Sequence, residues 1–337
     1  MINSMKISSF SVLALSGFVL CAVLSADEAI HVPRAKYAFS PAAAPSGKIL
    51  AVNISERMPE GEVTSGFPTL LGMDHTPILV KRLSASESKD TDTQPRWTSD
   101  GSKLFFLTVT GIHTMPNETR EARILRKGSF AGLAISPDDS KLAFWNLAPA
   151  QEHNYTLVVI DLASNTEVRS WTVPNNYDAD QYGFEIAFAA DSRSLFARTY
   201  DTEGRTPLKE FDLTSGRVTV ISENCSGLAS SKDAIYFIES GDHGPGLRKI
   251  VRGDSQPKEM VSVFPYDDLM TSGTQRWLVA RELRTRKWAL VDTTNNRIQT
   301  VEGRCDSLTV LANGEIVYFK KGVISTSAST CSVRGNR

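Results

Sequence analysis

Seven short segments of the chain share one design: a polar Asp/Gly/Ser turn followed directly by an apolar, β-rich run. They are PSGKILAV at 45–52, SDGSKLFFL at 99–107, SPDDSKLAFW at 136–145, AADSRSLFA at 189–197, SSKDAIYFI at 230–238, SGTQRWLVA at 272–280 and ANGEIVYFK at 312–320. A tight turn before alternating apolar residues is the mark of a hairpin. Aligned on the first apolar residue after the turn, the copies fall at Ile49, Leu104, Leu142, Leu195, Ile235, Trp277 and Ile316, a mean spacing of about 44.5 residues. A period of about 40–45 residues with four strands per unit is that of a β-propeller blade. The fold class expected is therefore all-β: a single propeller of seven four-stranded blades, with six as the competing count.

The ends of the chain bear on how such a ring closes. Lys6, the apolar run Val12 to Leu24 and the small-residue site Leu24-Ser25-Ala26 read as a signal peptide over residues 1–26. Residues 27–326 are assigned to the propeller and 327–337 to a C-terminal tail. The 311 residues after Ala26 match seven units of the observed period. A blade buries neither face alone, so the ring must close to be stable. The seventh repeat offers only three strands of its own, and Ile30–Pro33 is the expected donor of the fourth, which removes an open edge.

Composition narrows the partners. A formal net charge of −1 gives no nucleic-acid footprint. No stretch approaches the roughly 18–20 apolar residues of a membrane helix. These features point to a monomer exported to the periplasm or medium. Cys225, Cys305 and Cys331 remain after cleavage, and an oxidising compartment allows one bridge among them. Cys305–Cys331 is the pairing expected, because it would staple the tail to the last blade.

The segment SPDDSKLAFW, followed by LVVIDLASN, resembles the repeat of the TolB-like periplasmic propellers, a WD40-like repeat family. The resemblance covers most of residues 40–320 and is clearest in blades two to four. Neither a Trp-Asp nor a Gly-His dipeptide occurs, so it is not the eukaryotic WD form. The resemblance implies a periplasmic ring whose main work is to bind a protein or peptide at one face. It does not specify a function, since the fold hosts many.

Strong catalytic signatures are absent: there is no G-x-S-x-G, H-E-x-x-H, C-x-x-C or P-loop. Within a blade, labelled A to D from the axis outward, strand directions alternate. All B–C loops thus emerge on one face and all A–B turns on the other. His75, His113, His153 and His243 read as B–C loop residues, and imidazole is a common transition-metal ligand. Together they form the candidate set for a metal-assisted enzyme, such as a lyase acting on an acidic polysaccharide; solvated loop histidines are the plainer account. Arg281, Arg284, Arg286 and Lys287, then Lys320 and Lys321, make the B–C loops of blades six and seven basic, a surface suited to an anionic partner. Asp201, Glu203 and Arg205 read as turn formers. The expectation drawn from all this is a non-catalytic binding ring with no cofactor; the alternatives are the metal-assisted lyase or a carbohydrate-binding module.

Overall fold

Strict alternation within KLAFWN at 141–146 and NYTLVVID at 154–161 sends successive side chains to opposite faces of one sheet. In the computed structural model, Leu142, Phe144, Val158 and Ile160 pack toward the preceding blade. Ala143, Trp145, Leu157 and Val159 pack toward the following one. Each blade is thus a partition between two cores. The structure describes residues 30–31, 37–55, 66–73, 79–84, 95–147, 154–174, 184–201, 203–241, 244–251, 258–259, 266, 268–272, 275–282, 287–301, 305, 307–311, 314–320, 323–326 and 333–335.

Among the described residues the strands form seven antiparallel sheets, the seven-bladed ring expected from the TolB-like repeats. Blade 1 holds Tyr37–Ala43, Ile49–Ser55, Phe67–Gly72 and Leu79–Arg82. Blade 2 holds Arg96–Trp97, Lys103–Thr108, Gly111–Pro116 and Arg123–Lys127. Blade 3 holds Phe130–Ile135, Lys141–Asn146, Asn154–Asp161 and Glu167–Pro174. Blade 4 holds Ile186–Phe188, Ser194–Arg198, Leu208–Asp212 and Val218–Ser222. Blade 5 holds Cys225–Ser230, Ala234–Gly241, Gly244–Val251 and Lys258–Glu259. Blade 6 holds Asp268–Thr271, Trp277–Glu282, Lys287–Asp292 and Arg297–Val301.

Blade 7 closes the ring. Ser307–Val310, Ile316–Lys320 and Val323–Thr326 are completed by Ile30–His31, with Ile30 opposite Ile324 and His31 opposite Val323. The donor segment anticipated from the sequence is the one used. One addition was not anticipated: within the tail, Val333–Gly335 pairs with Arg297–Val301 as a fifth strand of blade 6. Seven apolar clusters among the described residues sit one at each junction, including blade 7 against blade 1 through Leu50, Val52, Val317 and Phe319. The five tryptophans all join these inter-blade cores, Trp145 and Trp288 fully buried.

The A–B and C–D turns share one face and are closed by short polar side chains. Asp100 Oδ1 accepts from Thr98 Oγ1 at 2.7 Å and Ser102 N at 2.8 Å, and Asp138 repeats the arrangement with Ser136 and Ser140. Asp139 reaches across to blade 2, where its carboxylate accepts from Ser99 N and Oγ. Asp161, Asp212 and Asp292 cap the C–D turns of blades 3, 4 and 6 by the same means. These are Asx turns, in which a carboxylate replaces a backbone acceptor.

Candidate functional site

The opposite face, where the B–C loops emerge, is built differently. Strand B of blade 4 ends at Arg198, buried to 6% exposure. Its Nε lies 2.9 Å from Glu185 Oε2, its Nη1 donates to the Ser226 carbonyl at 2.6 Å and its Nη2 lies 3.3 Å from the Tyr200 hydroxyl. One guanidinium therefore ties the entry of blade 4 to the innermost strand of blade 5. Cys225, beside this pair, is a buried thiol pushed up to about 12 by burial, so it stays protonated and unreactive. In blade 5, Glu239 pairs with Arg248 at 3.0 Å and accepts from Ser222 Oγ at 2.7 Å. Arg205 holds Asp201 at 2.7 Å, Glu203 at 3.3 Å and Glu223 at 3.7 Å, so the turn expected around Asp201, Glu203 and Arg205 is closed by ion pairs.

Blades 6 and 7 continue the face with positive charge. Arg281 takes the place in blade 6 that Arg198 takes in blade 4, each three residues past the strand B residue that pairs with the last of strand A. Half-buried, it stacks over Trp288 at 5.4 Å, and Trp288 is fixed in turn by donating Nε1 to the Cys305 carbonyl at 3.2 Å. Lys287 opens strand C of the same blade and Lys320 ends strand B of blade 7, both exposed. The face is thus divided. Blades 4 and 5 carry acids matched by arginines, whereas blades 6 and 7 carry Arg281, Lys287 and Lys320, with Asp268 opposite Arg281 and Glu282 opposite Lys287 in the strand register. Arg284, Arg286 and Lys321 lie outside the described residues. Cys305 is buried in the core between blades 6 and 7, and Cys331 lies outside the described residues.

The histidine constellation does not assemble as expected. His113 stands inside strand C of blade 2, not in the B–C loop. It is 6% exposed, stacked on Phe106 at 5.1 Å, with Nε2 at 2.9 Å from Thr108 Oγ1 and 3.2 Å from Thr110 Oγ1. The hairpin turn is only two residues long, which draws the ring into the sheet. Burial lowers its pKa and keeps it neutral. His75 falls between Gly72 and Leu79, the C–D connection of blade 1, whose strand ends lie on the A–B face. His75, His153 and His243 lie outside the described residues. Among the described residues no three His, Cys, Asp or Glu side chains converge on a point.

Reasoning from sequence missed Arg198, Glu185, Glu239 and Arg248. The available signal was a charge at the end of an apolar run, as in SLFAR at 194–198 and FIE at 237–239.

No protein-family profile matches the chain, and no curated protein does. Solved structures do. An oligogalacturonate lyase in complex with manganese superposes with a TM-score of 0.64 at 11% identity, covering 88% of this chain and 90% of its own. A second oligogalacturonate lyase, from Vibrio parahaemolyticus, gives 0.61 at 13%, covering 90% and 92%. Hydrazine synthase from Kuenenia stuttgartiensis gives 0.54 at 12%, covering 93% and 99%. Identities this low carry the fold, and the chemistry must be read from the residues. The comparison also corrects the expectation of a non-catalytic ring that binds a protein or peptide. That expectation rested on the repeat alone, and two of the rings that match about nine-tenths of the chain are oligogalacturonate lyases.

Proposed function

We propose that the protein is an exported, periplasmic or secreted propeller of lyase type that acts on an acidic oligosaccharide of the uronate class, held on the B–C face. The observation that carries this reading is the cationic sector of blades 6 and 7, where Arg281, Lys287 and Lys320 flank adjacent blades on one face. The whole-length likeness to two enzymes named for oligogalacturonate supports it.

Cleavage of a uronate polymer by elimination removes the proton next to the ring carboxylate and expels the glycosidic oxygen. A double bond forms and no water is consumed. Negative charge builds on the carboxylate as the proton leaves, and a fixed cation beside it lowers the barrier. Arg281, held by its stack on Trp288, suits that role, because a guanidinium can grip a carboxylate with two parallel N–H bonds. Lys287 and Lys320 would supply point charges for neighbouring sugar units. No described residue is assigned as the base, and no step is routed through a metal. A Cys305–Cys331 bridge belongs to the same proposal, since it would pin the end of the chain beside this sector.

The test is incubation of the purified protein with galacturonate oligomers, following the ultraviolet absorbance of the unsaturated product. Turnover lost in Arg281→Ala, with unchanged folding, supports the reading. Absence of both product and binding in the wild type removes it.

A further inference from the structure

Each blade ends outward in an edge strand, and an unpaired edge invites another strand unless it is guarded by charge, proline, shortness or a cover. Among the described residues six of the seven outer strands are guarded. Leu79–Arg82 carries Lys81 and Arg82, and Arg123–Lys127 carries charge at both ends. Glu167–Pro174 opens on an acid and closes on proline, and Lys258–Glu259 is wholly charged. Val333–Gly335 covers blade 6, and blade 7 ends in the two residues Ile30–His31. The outer strand of blade 4 differs. Val218–Ser222 reads VTVIS, five residues with no charge and no proline, and no described strand pairs with its outer side. Val218 and Val220 stand on one face of it, 44% and 47% exposed.

The backbone fixes how a partner strand would meet this edge. Asp212 N donates to the Arg217 carbonyl at 2.9 Å, and Val218 lies opposite Phe211. Backbone groups alternate direction along an antiparallel ladder, so Val218 and Val220 turn their own N–H and C=O outward. A bulge after Val220 ends the regular run. Two such edges related by a two-fold axis at Thr219 set Val218 of each copy against Val220 of the other. The exposed valines of both copies then share one face, and Thr219 meets its own copy; β-branched and threonine pairs across strands are stabilising. Charge agrees with this register. Exposed Arg217 falls one diagonal from the second copy's Glu223, a separation that two long side chains span. Glu223 is exposed too, and its contact with Arg205 is 3.7 Å long. With Ile221 and Glu239 it lines a cleft of about 370 Å³ at the end of the same strand. Parallel pairing in register would instead set Arg217 against Arg217.

We propose that the protein forms a two-fold dimer through the outer strands of blade 4, which joins two four-stranded blades into one continuous sheet. A second copy is the occupant that the edge fits, because an antiparallel two-fold makes the strand its own complement in both apolar pairing and charge. The single ring expected from composition is then the dissociated form. One strand pair is a small interface, so the association is weak and depends on concentration. The surface lies on the rim and does not depend on the reading of the B–C face.

Sedimentation velocity of the whole protein over a dilution series tests this. The expected result is a monomer–dimer equilibrium, with amide exchange at Val218 and Val220 slowing as the dimer fills. Val220→Lys places a charge against the second copy's edge and should abolish the dimer. Arg217→Glu should weaken it about tenfold by facing like charges, and Glu223→Arg added to it should restore the affinity. Arg281→Ala should leave the equilibrium unchanged. If Val220→Lys does not fold, the charge exchange, made at two exposed residues, decides the matter. A wild type that stays monomeric at every concentration overturns the proposal and leaves the edge to a strand of another protein. A dimer that both Val220→Lys and Arg217→Glu leave intact overturns it as well, because the contact then lies elsewhere on the ring.

Discussion

The two faces of the ring solve the same problem, ending seven sheets in water, with different chemistry. On the A–B face most turn carboxylates close their own turn: Asp100, Asp138, Asp161, Asp212 and Asp292 each accept from groups within four residues, with Asp139 reaching Ser99 of blade 2 and Asp292 also taking Arg276. On the B–C face the charges reach farther, from Arg198 to Glu185 thirteen residues back and to Ser226 in the next blade. Local closure leaves a face with little to offer a ligand. Long-range pairing leaves one with buried ions in blades 4 and 5 and with Arg281, Lys287 and Lys320 in blades 6 and 7. That difference places the functional reading on the B–C side.

The sharpest way to break the contrast is Glu185→Ala. It removes the carboxylate from the buried Arg198 guanidinium, which keeps the Ser226 carbonyl, and removing one partner of a buried pair costs about 3–5 kcal/mol. Urea unfolding should show that loss; a change under about 1 kcal/mol would mean the pair contributes little to the face.

On the other face, Ser136→Ala removes a buried hydroxyl that donates to Asp138 and accepts from Lys141 N, at a cost of about 1–2 kcal/mol. Acid probes the same turns. Hydrogen bonds from Thr98 and Ser102 pull Asp100 down to about 2, whereas an unfolded aspartate titrates near 3.9. A carboxyl depressed on folding contributes stability that is complete above about pH 4 and lost as the pH falls toward about 2. Stability curves of wild type and Asp100→Asn should therefore converge over that interval.

His113 gives a smaller, opposite-charge test. Its folded pKa lies below the unfolded value near 6.5, so the unfolded chain binds the extra proton as the pH drops. Stability should decline below about pH 6.5 in the wild type and less steeply in His113→Gln, measured by thermal melts across pH 4.5–7.5 (about the range where imidazole titrates). The least effect on folding is expected from Lys287→Ala and Lys320→Ala, within about 0.5 kcal/mol. Their loss should show in uronate affinity and in its salt dependence instead.

Much of this architecture is legible in the sequence because a propeller writes its period into the chain. The turn-plus-apolar copies locate every strand B, and the shortfall of strands after Gly322 points to Ile30 as the closing partner. The candidate site is less legible. Sequence assigns His75 to a B–C loop, whereas it falls between the third and fourth strands of blade 1, because a loop residue cannot be assigned before those strands are placed. It puts His113 in solvent because a two-residue turn does not reveal which neighbours lie in the sheet. Arg198 escapes notice since it sits in a run that otherwise reads as core, and a buried cation is recognised only by partners that folding brings to it.

Hydrogen exchange by mass spectrometry, with and without galacturonate oligomers, tests the division of the two faces most directly. The expected result is protection confined to the B–C ends of blades 6 and 7, around Arg281, Lys287 and Lys320, with the A–B turns at 45–48, 99–102 and 137–140 unchanged. Protection of those turns instead, or of neither face, would contradict the account.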